Sequence, residues 1–224
     1  MFAVTFKPFT ASATTILISM LVAFAGSACA ATPAKTDSNT LLDIQHQWAH
    51  CQYTVSESDQ QQNCFKNVIA NNQKALDDQP DNSDLTVWLG INQSSLAGVK
   101  GGLGALSLVK SAKLLFEQAI ATDPNSLDGS AYASLGSLYY QVPGWPIAFG
   151  DDDSAKAMLQ KALAISPNSI DNNYFYADFL VQEGDNAKAL QYLNKAQQAA
   201  PRPQRPLADK GRREDIEKLL KTLQ

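Results

Sequence analysis

Small and bulky apolar residues recur along most of this chain at intervals of three, four and seven, the spacing that gathers side chains on one face of an α-helix. Four segments align without gaps: Ala75 to Pro80, Ala119 to Pro124, Ala162 to Pro167 and Ala196 to Pro201 each run from an Ala to a Pro five residues on. Seven residues before the Ala stand Val68, Ala112, Ala155 and Ala189. A stripe of small residues at that interval lets a neighbouring helix come close. Phe116, Leu159 and Leu193, three positions before the Ala, fill the stripe with bulk. The Pro ends each helix because it lacks the N–H and clashes with the turn before it. These segments are predicted to be the second helices of helical hairpins.

The first helices precede them. Trp88-Leu89-Gly90, Leu135-Gly136 with Tyr139, and Tyr176-Ala177 with Leu180 and Gly184 occupy equivalent places, and Gly184-Asp185 is the last inter-helix turn. Pro167 and Pro201 are 34 residues apart, whereas the two earlier intervals are 44 and 43, so two units carry insertions between their helices. These residues resemble the tetratricopeptide repeat, whose period is about 34. The resemblance covers about 83–203, with insertions near 98–104 and 142–150, and 39–82 resembles a degenerate first hairpin. Pro143 to Asp152, Asn173-Tyr174-Phe175-Tyr176 and Arg202-Pro203-Gln204-Arg205-Pro206 resemble a group of exported bacterial repeat proteins. The implied fold is all-α: a solenoid of antiparallel hairpins, closed by a capping helix over 204–224.

Helices are predicted near 39–54, 58–79, 83–97, 105–122, 128–141, 152–165, 170–183, 186–200 and 208–223. Residues 81 to 83, Asp128, Asp151 to Asp153 and Asp185 fall at helix starts, where acceptors and acids suit the unpaired N–H groups. Ile216, Leu219, Leu220 and Leu223 give the last helix one apolar face, as a solenoid cap requires.

The N-terminus differs from the rest. Residues 1–30 have one basic residue, Lys7, no acid, an apolar run from Ile16 to Ala25, and end in Ala28-Cys29-Ala30. This is the pattern of a secretory signal cleaved after Ala30, followed by a linker over 31–38. Cys29 also offers a lipid-attachment alternative, although Gly26-Ser27-Ala28 is a poor match to that signal. No transmembrane segment is expected in the mature chain, and the expected location is the periplasm. Cleavage leaves Cys51 and Cys64, an even pair that reads as a disulfide in an exported chain.

Without Lys7 the chain has 17 basic residues against 22 acids, which argues against nucleic acid as a partner. Residues 201–224 depart from this balance, with seven basic residues against four acids.

Candidate chemistry is sparse. His46 and His50 are the only histidines and lie four apart, the spacing of helical zinc ligands, but no Glu follows the first as a metalloprotease motif requires. Gly98, Gly101, Gly102 and Gly104 with Lys100 do not form a phosphate loop, since the Lys precedes the glycine pair. Asp151-Asp152-Asp153 is read as a helix start rather than a cation site. Trp145 and Phe149 stand in a proline-stiffened loop and either make a contact site or fold back over the core.

Helical phase places Asp84, Ser94 and Ser95, then Ser130, Ser137 and Tyr140, then Asp171, Tyr174, Asp178 and Gln182 on the inner face of the stack. This face is polar and mildly acidic, suited to an extended peptide or a basic protein segment. The expected function is a non-catalytic periplasmic scaffold for a protein or peptide partner, with no cofactor. The alternatives are a small-ligand-binding accessory of a transport system and a metal-dependent enzyme using His46 and His50.

Overall fold

The computed structural model describes residues 38–223. The expected signal segment, Ala30, Cys29 and the linker as far as residue 37 lie outside the described residues.

Nine α-helices occur among the described residues: α1 (Ser38–Tyr53), α2 (Ser58–Asp78), α3 (Ser83–Lys100), α4 (Gly102–Thr122), α5 (Ser130–Gln141), α6 (Asp152–Ile165), α7 (Ile170–Gln182), α8 (Asn186–Gln197) and α9 (Pro206–Thr222). They pair in sequence as α1–α2, α3–α4, α5–α6 and α7–α8, and each hairpin stacks on the next. The fold is the expected all-α repeat stack.

The stripe is the reason the hairpins close. Ala112, Ala119, Ala155, Ala162, Ala189 and Ala196 are all buried, as are Phe116, Leu159 and Leu193 between them. Opposite the bulky residues the first helices carry almost nothing. A Cβ on Gly90 would lie 2.6 Å from Phe116 Cε1, and one on Gly136 would lie 2.7 Å from Leu159 Cγ. Ala177 takes that place against Leu193 in the last hairpin, where both are buried in one cluster. In the first hairpin Asn72 stands at the bulky position. Its side chain donates to Leu85 O at 3.0 Å and accepts from Asn92 Nδ2 at 3.2 Å, so the buried amide is paired on both sides.

Side chains cap five of the helix starts. Glu57, Asn82, Asp151, Ser169 and Asp185 each accept a backbone N–H of the first turn, which satisfies groups the helix itself leaves unpaired. Asp128 does not do this. It lies with Leu127 in a 3₁₀ turn at positive φ, 59° and 48°, and Gly129 precedes α5 without a side-chain bond. The Asn172 amide donates to Asp128 O at 3.2 Å and to Ala162 O at 3.0 Å, and so ties this left-handed turn to the core.

The Gly-rich stretch also differs from the expected loop. α3 continues to Lys100 and α4 starts at Gly102, with Gly101 alone between them. Both glycines have positive φ, 62° and 57°, which explains why two of them are needed for so short a reversal. The extra residues therefore lengthen the two helices.

Cys51 and Cys64 are bonded, with Cα atoms 5.6 Å apart, and clamp the turn between α1 and α2. Closing a loop of this size contributes about 3 kcal/mol in the chain-entropy model.

Since Ala162 is fully buried where α6 meets its neighbours, Ala162→Leu should overpack the stripe and cost about 1–3 kcal/mol in urea unfolding. An unchanged midpoint would show that the stripe is not the close contact.

Candidate functional site

α7 carries Asp171, Tyr174, Phe175 and Asp178 at helical spacing, so all four lie toward one side. α9 comes back across this side. It packs on α7 and α8 as a cap would, but also on α1 at the far end of the chain.

An ion cluster holds it there. Arg202 Nη1 donates to Asp171 Oδ2 at 2.6 Å, and Arg212 Nε donates to Asp171 Oδ1 at 2.8 Å. Arg202 also donates through Nε and its backbone N–H to the two oxygens of Asp209, each at 2.6 Å. Arg212 reaches Asp215 at 3.3 Å, and its guanidinium lies 4.3 Å from the Tyr174 ring centre and 4.8 Å from that of Phe175. On the α1 side, Tyr53 OH donates to Asp215 at 3.1 Å, and its ring lies against Gly211, where any Cβ would collide with it. Arg205 covers the Trp88 ring at 5.0 Å.

Burial alone would raise the Asp171 carboxyl, but Arg212 and Arg202 outweigh it and hold the group well below the ordinary carboxylate range. Burial likewise opposes the charge on Arg212, and Asp171 reverses that, so the guanidinium stays firmly protonated. Burial pushes the Tyr174 phenol up to about 12.

Between α9 and the inner helices lies a cavity of about 830 Å³. α1 contributes Trp48 and Tyr53, α3 Ser95, and α5 Ser134 and Ser137. α7 adds Tyr174 and Asp178, and α9 adds Arg212 and Asp215. Ile91, Val109, Leu138 and Ile147 give it apolar walls.

The expected inner-face residues are divided by this arrangement. Ser95, Ser137, Tyr174 and Asp178 meet in the cavity, and Ser95 accepts from Trp48 Nε1 at 2.9 Å. Tyr140 is buried behind them, with its hydroxyl donating to Asp178 Oδ2 at 2.7 Å. Asp171 is taken up by the ion cluster. Asp84 accepts from Ser126 at 2.6 Å, and Gln182 is exposed; neither lines the cavity. Arg212, Asp215, Trp48 and Tyr53 were not among the expected residues. The excess of basic residues over 201–224 was the one signal that pointed to the arginine.

The loop between α5 and α6 splits its two aromatics. Phe149 packs edge-on against Tyr139 at 5.8 Å, whereas Trp145 is 90% exposed. Folding back over the core thus holds for Phe149 and not for Trp145. The loop is nonetheless fixed by backbone bonds: Gly150 N–H to Pro143 O at 3.0 Å, Ala148 N–H to Gly144 O at 3.2 Å and Asp151 N–H to Tyr139 O at 2.9 Å. Pro143 and Ile147 border the cavity, and Trp145, between them in sequence, does not line it.

His46 and His50 lie on α1, and His46 Nε2 is 2.6 Å from Gln204 O. The two cysteines are spent on each other. Among the described residues no group of three or more His, Cys, Asp and Glu is placed to hold a metal ion.

Stacked helical hairpins around a concave cavity define a helical-repeat protein. Residues 147–208 match the tetratricopeptide repeat model. The fold agrees. A thermophilic TPR protein from Thermus thermophilus is similar to it with a TM-score of 0.53, at 15% identity, over 80% of this chain and 98% of that one. No curated protein matches the chain.

Two outcomes follow from the geometry. Asp171 has a depressed folded value, so its contribution is complete above the ordinary aspartate value near pH 4 and is lost as pH falls below it. Asp171→Asn should cost about 2–3 kcal/mol at pH 7, below the roughly 3–5 kcal/mol of breaking a fully buried pair, because a quarter of its side chain stays exposed. Wild type should then lose about 1 kcal/mol more than the variant between pH 7 and pH 3 in urea titrations. Equal losses would remove Asp171 from the acid response. Trp145→Ala, by contrast, should change stability by less than about 0.5 kcal/mol, because the ring covers nothing. A clear drop in melting temperature would contradict its exposed placement.

Proposed function

We propose that this chain is an exported, non-catalytic scaffold that holds a short segment of a protein partner in the concave cavity. The observation that carries the reading is the cavity itself. Its volume of about 830 Å³ falls within the range of about 300–1,000 Å³ usual for binding sites, and apolar walls alternate with hydroxyl and carboxylate groups. α9 bounds the cavity on one side, so the occupant is a few residues rather than a long extended strand. Ser95, Ser137, Tyr174 and Asp178 are the proposed contacts, with Trp145, exposed on the loop that carries Pro143 and Ile147, as a further aromatic contact. Asp171 and Tyr140 serve the site from behind, and Asp84 and Gln182 have no part in it. The periplasm suits this role: the signal-like N-terminus and the Cys51–Cys64 bond support an oxidising compartment. No helix among the described residues is long and apolar enough to cross a membrane.

The bounded volume also favours a second reading, a small-ligand-binding accessory of a transport system. A metal-dependent activity finds no third ligand for His46 and His50 among the described residues.

Ser134→Trp separates these readings by filling the cavity from α5. Peptides selected on the wild-type protein from a random displayed library should bind the variant at least about tenfold more weakly, with helicity and melting unchanged. Peptides that bind both equally would place the site elsewhere. If instead no peptide is selected, and a small-molecule thermal-shift response disappears in Ser134→Trp, the second reading holds.

A further inference from the structure

The charges that face the cavity are not balanced in the way those behind it are. Among the described residues Arg212 is its one basic lining residue, and that guanidinium donates to Asp171 and Asp215 while its face covers Tyr174 and Phe175. Asp215 is shared further, with Tyr53 OH at 3.1 Å and Lys218 Nζ at 3.9 Å. Asp178 has the Tyr140 hydroxyl at 2.7 Å, a neutral donor, and among the described residues it makes no ion pair. A half-buried carboxylate facing a partly apolar cavity without a cation attracts one more strongly than a carboxylate in open water does.

Resting on the reading of the cavity as the binding site, we infer that its occupant presents a lysine or arginine side chain to Asp178. The walls suit such a side chain along its length. Ile91, Val109 and Leu138 offer apolar surface to the methylene stem, and the charged head reaches the carboxylate on α7. An acidic side chain would meet Asp178 and Asp215 with the lining Arg212 already engaged, so the site selects against it. Flanking apolar residues of the same segment then lie toward Ile147 and Pro143.

Three capped tripeptides test this against the ¹⁵N-labelled protein: acetyl-Leu-Lys-Leu-amide, its acetyl-lysine analogue and acetyl-Leu-Glu-Leu-amide. The lysine peptide should shift amide resonances of α5 and α7, and bind at least about tenfold more tightly than the other two. Asp178→Asn should abolish that difference with little change in melting, because the amide oxygen still accepts from Tyr140. Equal shifts of cavity amides by the lysine and acetyl-lysine peptides would overturn the cationic occupant and leave the cavity as the site. No shift of cavity amides by any of the three at millimolar concentration would overturn both. Should Asp178→Asn not fold, the wild-type comparison of lysine with acetyl-lysine decides alone.

Discussion

Arg202 and Arg212 meet on the two oxygens of Asp171 from different segments, one before α9 and one within it. Burying three charged groups is costly, and mutual attraction repays the cost only when the geometry leaves none of them stranded. Here the surroundings complete the pairing. Asp209 takes the remaining side of Arg202, Asp215 takes a further nitrogen of Arg212, and the Tyr174 and Phe175 rings cover its face. A cluster of this kind adds little stability over well-packed apolar side chains, but a shift of α9 by one turn would strand several charges at once. Its main effect is therefore on position. With α9 fixed in this register, Gly211 meets the Tyr53 ring, Arg205 meets Trp88, and the inner face of the repeats becomes a bounded cavity.

That position also depends on how closely the hairpins stack. The inner helices can face a common space only if their outer partners nest behind them. Gly90 admits Phe116 and Gly136 admits Leu159 at distances no Cβ would allow. Ser95, Ser137 and Tyr174 then arrive at the cavity from three successive hairpins. The first hairpin uses other means for the same end. Its stripe carries Asn72 in place of a bulky apolar residue, and paired amides together with a disulfide supply what apolar bulk supplies elsewhere.

The stack was readable from sequence because its signals are local and repeated. An Ala stripe with Pro five residues on needs only one helix and its neighbour to make sense, and it occurs four times. The helix lengths around Gly101 were not readable, since four nearby glycines look alike until two are seen to supply the positive φ of a one-residue reversal. The site was half readable. Helical phase gave Ser95, Ser137, Tyr174 and Asp178, because each lies on the inner face by its own helix's periodicity. It could not tell that Asp171, on the same stripe, would be consumed by arginines 31 and 41 residues further on. Nor could it assign Trp48 and Tyr53, which reach the cavity from α1.

The basic excess over 201–224 takes on a different meaning once the charges are located. On an acidic chain it resembles a patch for an anionic partner, yet Arg202 and Arg212 are turned inward and paired, and Arg213 donates to the carbonyls of Gln197 and Ala199 at the end of α8. Arg205 is pressed onto Trp88, where burial and the nearby Arg202 lower its hold on its proton. Three arginines of this segment, Arg202, Arg212 and Arg213, thus serve the protein's own acids and a helix end. The acids they neutralise are those that bind α9. Asp178 lies one turn beyond Tyr174 on the same face, past the reach of these arginines, and its carboxylate is met by the neutral Tyr140 hydroxyl with no ion pair among the described residues.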